Sequence, residues 1–382
     1  MTICVVCDVL GEENNGTTIA AMNLIRSLRK KGHTVRVVCP DEDKKDLPDH
    51  FVVGSFGIAP VKRYLKKNGV VVAKPDKDIL QAAFDGVDHV HLMTPLPLCI
   101  GALHVLRETG VSVTAGFHCQ AENISSHLGM KDNYLLNKEI YKLFYRHFYR
   151  YVDGVHFPTE FIREVFDRYG GKTNAYVISN GVSGDFRPMA VERPAEFDGK
   201  QVILFTGRYS REKSHKVLID AVKKSSHRDT IQLIFAGEGP LCEKLKKRSE
   251  SLANPPIFKY FSREEMVRTI NSADLYVHPA EIEIEAISCL EAISCGIVPV
   301  ISNSPRSATR YFALDEKNLF TCNDSGDLAD KIDYWLDHPE EKAKRSKEYL
   351  GYTKQFDFDV CMDRMEQMII EVHDKKASAK NG

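Results

Sequence analysis

Short apolar runs alternate with helix-patterned segments along the whole chain, and the alternation restarts once. No other feature limits the possible folds as much. The chain opens with the strand-like run "ICVVCDV", a polar loop "LGEENNGTT", the helical pattern "IAAMNLIRSLRKKGH" and a second strand at "TVRVVCP". "DHVHLM", "VSVTAGF", "GVHFPT" and "AYVIS" continue the series between further helical stretches. Such alternation predicts parallel sheets covered by helices on both faces. After "NGVSGDFRPMAVERPAEFDGK", rich in Gly, Pro and charge, it begins again. "QVILFTGR", "IQLIFAGEG" and "DLYVHPA" are the strands, with "HKVLIDAVKKS", "LCEKLKKRSE" and "CLEAISCG" as helices between and after them. The expectation is two doubly wound α/β domains, residues 1–187 and 188–355. A final amphipathic helix in 356–382 would pack back toward the first domain. Ligands of such folds bind beyond the carboxyl ends of the strands, and two facing domains make a cleft.

Composition narrows the partners. The 382 residues carry a formal net charge of -1, so nothing pulls the whole chain toward nucleic acid, and an anionic partner needs a local patch. No run of 18 apolar residues predicts a membrane span. The ten cysteines are scattered and no signal peptide is recognised, which points to reduced thiols in a cytosol. Cys4 and Cys7 form a CxxC inside an apolar run. Without a second pair or a nearby histidine, they read as buried strand residues rather than a redox or zinc site.

The strand ends carry the chemistry. Gly16 stands at a helix start, where free N–H groups favour an anion or a closely approaching ligand; a turn glycine with a Thr17 or Thr18 cap is the plain alternative. The spacing is not GxGxxG. At the end of "QVILFT", Gly207 permits a tight turn, and Arg208 and Lys213 could converge on one diphosphate or simply face water. "FAGEGP" repeats a glycine turn at the next strand end.

"EIEIEAISCLEAISCG", residues 281–296, is the most demanding stretch. Glu281, Glu283 and Glu285 alternate with Ile and Ala in the period of a half-buried strand, yet they follow the strand "LYVHPA" directly. Glu283 is then expected in a loop, with a helix starting near Ala286 and its free N–H groups directed to the same ligand. Glu291 sits in that helix among small apolar neighbours. An exposed helical acid is one reading; a carboxylate that accepts two hydroxyls of a sugar diol is the other.

Taken together, "FTGRYSREK", "FAGEGP", "ISNGV" and the acid pair Glu283-x7-Glu291 leading into "LEAISCG" resemble the family-4 group of retaining glycosyltransferases. The resemblance covers nearly the whole chain. It implies the GT-B fold, two Rossmann-like domains across a cleft, and a nucleotide-sugar donor. Glu291 is implied to hold the ribose, and Glu283 the sugar hydroxyls, helped by N–H groups near Ala286 and Ile287. Arg208 and Lys213 are implied to neutralise the departing diphosphate. His118, in "TAGFHCQ", matches the family's cleft histidine beside the reacting carbon; Gly16 matches the glycine that lets a loop approach the diphosphate. The base is implied to lie near "FKYFSREE", around Phe261.

No acid stands out as a covalent nucleophile, so the implied reaction is attack on the face the diphosphate leaves. No DxD motif appears, and no metal or other cofactor is expected. Two departures stand out. Ala286 occupies a common glycine position, and "NSPRSATRYFA" replaces a Gly-Gly stretch.

Residues 131–152, "KDNYLLNKEIYKLFYRHFYRYV", bear on the acceptor. Lys138, Lys142, Arg146 and Arg150 recur every four residues, with Tyr141, Phe144, Tyr145, Phe148 and Tyr149 on adjoining faces. A basic, aromatic helix suits an anionic membrane surface, and "KRYLKKNG" at 62–69 would add charge. Equally, it describes a core helix with a solvated basic side. The family includes membrane-surface enzymes that glucosylate diacylglycerol, and "GFHCQAEN" followed by this helix is similar to those.

The expected function is therefore transfer of a hexose from UDP-glucose or a related UDP-sugar to a membrane lipid such as 1,2-diacylglycerol. The enzyme would be cytoplasmic and peripheral on the inner face of the cell membrane. A soluble or polyprenyl-linked saccharide acceptor is the alternative. A UDP-sugar epimerase, a phosphorylase or a non-catalytic nucleotide-sugar binder on the same fold fits the acid pair less well.

Overall fold

A computed structural model of the chain describes residues 1–8, 16–56, 72–127 and 129–381. Gly11 and the basic stretch 62–69 lie outside them. Contacts divide the chain into an N-terminal unit, Met1–Asn180 with Cys361–Gly382, and a C-terminal unit, Gly181–Val360.

Among the described residues the N-terminal unit has strands β1 (Thr2–Val6), β2 (Thr34–Cys39), β3 (His50–Val52), β4 (His89–Leu92), β5 (Ser112–Gly116), β6 (Gly154–Phe157) and β7 (Ala175–Val177). They form one sheet in the order β3-β2-β1-β4-β5-β6-β7, with every pair parallel. This is the doubly wound order, outward from β1 in both directions. Its central strands are apolar because both faces are covered: Ile3 to Val6 of β1 have no exposure, and Cys4 and Cys7 are buried with them.

The C-terminal unit repeats the plan with β8 (Gln201–Thr206), β9 (Ile231–Ala236), β10 (Ile257–Lys259), β11 (Leu275–His278), β12 (Pro299–Ser302) and β13 (Leu319–Phe320). Their order is β10-β9-β8-β11-β12-β13, again parallel. Where this unit begins and ends, Val182 pairs with the returning chain: its N–H donates to the Phe356 carbonyl (2.7 Å) and its carbonyl accepts from Phe358 (3.1 Å).

The last helix, Phe358–Asn381, packs on the N-terminal unit through Met362, Met365, Met368, Ile369 and Val372, all buried. Its polar side is tied down as well. His33 meets Glu366 at 2.7 Å, Lys376 meets Asp153 at 2.7 Å, and Arg364 donates to the Val177 carbonyl at 2.8 Å.

The helix Tyr134–His147 corrects part of the membrane reading. Tyr141, Phe148 and Tyr149 are fully buried and join Phe117, Phe157 and Phe166 in one aromatic cluster, with ring centroids 5.1 Å apart for Phe117–Phe166. These rings belong to the core, where each adds apolar burial of about 2 kcal/mol, and are not held for lipid. The basic stripe keeps an outward position: Arg146 and Arg150 are exposed, and Lys138 and Lys142 are partly so. Arg150 lies past the helix, in the turn Tyr149–Tyr151. Exposed Leu135 and Leu143 accompany the cations.

Candidate functional site

In the C-terminal unit, three loops at strand ends converge. β8 ends at Thr206 just before Gly207, and the following turn, Arg211–Lys213, carries Lys213. The glycines after β9 let that loop lie close. A Cβ on Gly237 would collide with the Gly207 carbonyl oxygen, and one on Gly239 would stand 2.6 Å from the Tyr209 carbonyl oxygen. The loops are joined through the backbone instead: Gly207 N–H to Ala236 O (2.9 Å), Tyr209 N–H to Glu238 O (2.7 Å) and Leu241 N–H to Tyr209 O (3.1 Å). Glycine is required here by close approach, which explains the repeated glycine turns in the sequence.

The third loop is the acidic stretch, irregular as its place after the strand Leu275–His278 predicts despite its period-2 pattern. Residues 281–286 are irregular; Glu283 makes one isolated bridge, to Ser307. Glu281, Glu283 and Glu285 are all buried, so the alternation does not separate an inner face from an outer one. Burial of three carboxylates demands partners, and for Glu283 these are clear. Its carboxylate pairs with the Lys213 ammonium and meets His278 Nε2 at 3.1 Å. Burial opposes ionisation of Glu283, but Lys213 and His278 outweigh it and hold the carboxyl down at about 2. His278 is buried at the end of β11, and burial keeps its imidazole below the usual range despite Glu283. Sequence reasoning missed His278; its signal was a histidine in a fully buried strand five residues before the acid.

The structure thus brings together two residues expected on different parts of a ligand. Lys213 spends one donor on Glu283 and has two more to offer.

The helix Ile287–Ser294 starts immediately beyond. Ala286 precedes it at φ 63° and ψ 69°, a left-handed conformation that suits glycine and explains the glycine common at this position. Its first N–H groups have no acceptor within so short a helix. Glu291, in the middle of the helix, is partly buried with no hydrogen-bond partner for its carboxylate among the described residues. Burial pushes its carboxyl up to about 7, against a small opposing effect of Arg263.

Other expected residues fall nearby or elsewhere. Arg208 is partly buried in the Gly207 turn. Phe261 follows β10, just before the helix Arg263–Ser272, whose Ser262 and Glu265 make a reciprocal cap. In the N-terminal unit, Gly16 begins the helix Gly16–Lys30, and among the described residues a Cβ there would meet nothing within 4 Å. Packing against those residues does not demand that glycine. His118 follows β5 with its ring folded back over Gly116, where a Cβ would lie 2.6 Å from Nε2. The ring of His156 lies 5.5 Å from that of His118. Burial, then His156 and His91, hold the His118 imidazole neutral, well below its usual range.

Arg306, in the segment that replaces Gly-Gly, meets Glu281 at 3.2 Å, and Arg310 lies over the Tyr311 ring at 5.3 Å.

Comparison with known proteins agrees with this architecture. Residues 14–186 match the model of Glycosyltransferase Family 4, and residues 187–350 that of Glycosyl transferases group 1. The alpha-monoglucosyldiacylglycerol synthase of Streptococcus pneumoniae is 25% identical over 319 residues, 79% of this chain and 71% of that protein. A GDP-mannose-dependent alpha-mannosyltransferase of Mycolicibacterium smegmatis is 24% identical over 79% of each chain. An Anabaena protein solved with UDP and glucose superposes with a TM-score of 0.75 at 14% identity, over 97% of this chain and all of that one. The chain belongs to the family-4 group of GT-B glycosyltransferases and is a hexosyltransferase.

Proposed function

We propose that the enzyme transfers a hexose, with retention at the anomeric carbon, from a UDP-sugar such as UDP-glucose to a membrane lipid of the diacylglycerol class. The observation that carries the donor half is the Lys213–Glu283–His278 cluster beside the start of the Ile287–Ser294 helix, with Glu291 unsatisfied in that helix. Glu283 is ionised at neutral pH and accepts sugar hydroxyls. Lys213 and Arg208 take up the charge of the departing diphosphate, which is where a preorganised cation contributes most. N–H groups of Ala286 and Ile287 add partial positive charge at the same place. Glu291 receives the ribose diol, and backbone around Phe261 the base. The leaving phosphate accepts the acceptor's proton, so no protein nucleophile, metal or other cofactor enters this reading.

Glu291 supports its role through its cost. Its carboxyl titrates near 7 rather than in the ordinary carboxylate range, so the ligand-free fold holds a proton that the unfolded chain releases. The associated stability is present below about 4.5 and lost as pH rises through about 7. Glu291→Gln should therefore raise ligand-free stability at pH 8 by about 2 kcal/mol while weakening UDP binding. Chemical denaturation and calorimetry check both halves; a stabilised variant with unchanged UDP affinity would remove Glu291 from the donor site.

The lipid half rests on the S. pneumoniae relative and on the exposed side of the Tyr134–His147 helix. There Leu135 and Leu143, 71% and 50% exposed, lie among Lys138, Lys142 and Arg146. Cations beside exposed leucines match an anionic bilayer surface. Reversing Lys142 and Arg146 to Glu should reduce cosedimentation with anionic vesicles by roughly tenfold or more. UDP binding should stay unchanged. Full vesicle binding by that variant would retire the surface and favour a saccharide acceptor.

A further inference from the structure

The segment that stands where the family often has glycines is bonded to the acidic loop along its length. The Ser304 hydroxyl donates to the Glu281 carbonyl at 2.6 Å, and Glu283 N–H approaches the Arg306 carbonyl at 3.4 Å. Ala308 N–H donates to the Glu283 carbonyl at 2.9 Å. Arg306 Nη2 reaches Glu281 Oε2 at 3.2 Å. Glu281 faces the cation loop as well. Its other carboxylate oxygen accepts from the Ser214 hydroxyl at 3.2 Å, and its N–H donates to the Glu212 carbonyl at 2.8 Å. Ser214 sits at φ 52°, a conformation L residues adopt only when their surroundings hold them there.

Three consecutive residues of the cation turn are therefore held by two acids: Glu212 and Ser214 by Glu281, and Lys213 by Glu283. Glu281 is 4% exposed and its carboxylate is engaged on both sides, so it does not present itself to a ligand.

We infer that Glu281, clamped between Ser214 and Arg306, is the positioning residue that sets Lys213 for the departing diphosphate. The segment 303–312 is the rigid strut that backs it. This rests on the donor-site reading above. Through Arg306 and Ser304 this segment holds the acidic loop in place. A cation fixed in advance acts on the transition state more than on the ground state. Loss of the clamp should therefore appear in kcat before it appears in donor affinity.

The test uses the full chain, with the nucleotide sugar on which the wild type turns over and diacylglycerol vesicles. Glu281→Gln alone removes the charge that Arg306 Nη2 meets and should lower both Tm and kcat. The double variant Glu281→Gln/Arg306→Gln removes both charges and keeps amide contacts. Its Tm should return toward wild type, its kcat should stay at least about tenfold low, and UDP affinity should change less than about threefold. Recovery of kcat together with Tm would show a merely structural pair and overturn the inference. Should both variants fail to fold, Ser214→Ala removes one hydroxyl only. A several-fold drop in kcat at unchanged donor KM supports the clamp, and wild-type kinetics overturn it. Lys213→Ala and Glu291→Ala are run alongside. Full activity in these would bring down the donor-site reading itself; their loss, beside an unaffected double variant, would bring down only the clamp.

Discussion

Glu283→Gln should cost the enzyme roughly a hundredfold in turnover and about 3 kcal/mol in stability. The stability loss follows from the pairing. Glu283 is ionised because Lys213 and His278 face it in a buried place, and its carboxyl titrates at about 2. A carboxyl depressed in the fold contributes stability that is fully present above the ordinary Glu range and lost as pH falls toward about 2. At neutral pH the amide forfeits all of it and leaves the Lys213 ammonium beside a neutral imidazole. The activity loss follows from the proposed chemistry, since the amide neither accepts sugar hydroxyls as strongly nor holds Lys213 in place. Urea denaturation at pH 7 and steady-state transfer measure the two effects. A variant as stable as wild type would contradict the buried pair, and one as active would contradict its catalytic placement.

Acid should destabilise the N-terminal unit between pH 7 and 5, above the ordinary carboxylate range. His89, His91, His118 and His156 all titrate below the usual histidine range, mainly through burial, with His89 at about 3 and His156 at about 4. One hydrogen-bond direction satisfies both ring nitrogens of His89 and Nδ1 of His91, while His91 Nε2 is buried without a partner among the described residues. The Ser112 hydroxyl donates to the Asp88 carbonyl (3.1 Å) and accepts from His89 Nδ1 (2.7 Å); the Thr114 hydroxyl donates to His89 Nε2 (2.7 Å) and accepts from His91 Nδ1 (2.9 Å). A proton added to His89 breaks this chain. Because the folded values lie below those of the unfolded chain, the stability is present above about 6.5 and lost as pH falls toward about 3. His89 and His156 each cost about 2 kcal/mol at pH 5, a large share of an ordinary domain's stability, and His91 and His118 act in the same direction. Denaturation curves between pH 7.5 and 5 should steepen with falling pH, and His89→Gln should reduce the slope by about one proton. Stability independent of pH over that range would contradict the buried neutral column.

The fold was legible where physics writes it strongly. Central strands such as β1, β8 and β9 are continuous apolar runs because both faces are covered, and each was identified from that alone. The edge strands β3, β10 and β13 have three, three and two residues and are partly exposed, so they lack a periodic signal. The Glu283 and Glu291 positions were legible as chemistry. Their environment was not, because ion pairing of Glu283 to Lys213 crosses 70 residues of sequence. The alternation of Glu281, Glu283 and Glu285 marks no sheet face: Lys213 and His278 compensate burial of Glu283, and Ser214 and Arg306 that of Glu281. In the Tyr134–His147 helix the basic stripe was read correctly as outward. The rings beside it face inward, which a helical repeat cannot decide when apolar and aromatic residues occupy most of the circumference.

The measurement that tests the account most directly is transfer itself. The full chain is incubated with UDP-glucose, UDP-galactose and GDP-mannose, each with anionic vesicles containing diacylglycerol, and products are identified by mass spectrometry. The account predicts a glycosyl-diacylglycerol of retained anomeric configuration, formed from a UDP-sugar and lost in Glu283→Gln. A product of inverted configuration, or efficient transfer to a soluble saccharide with none to lipid, would contradict it.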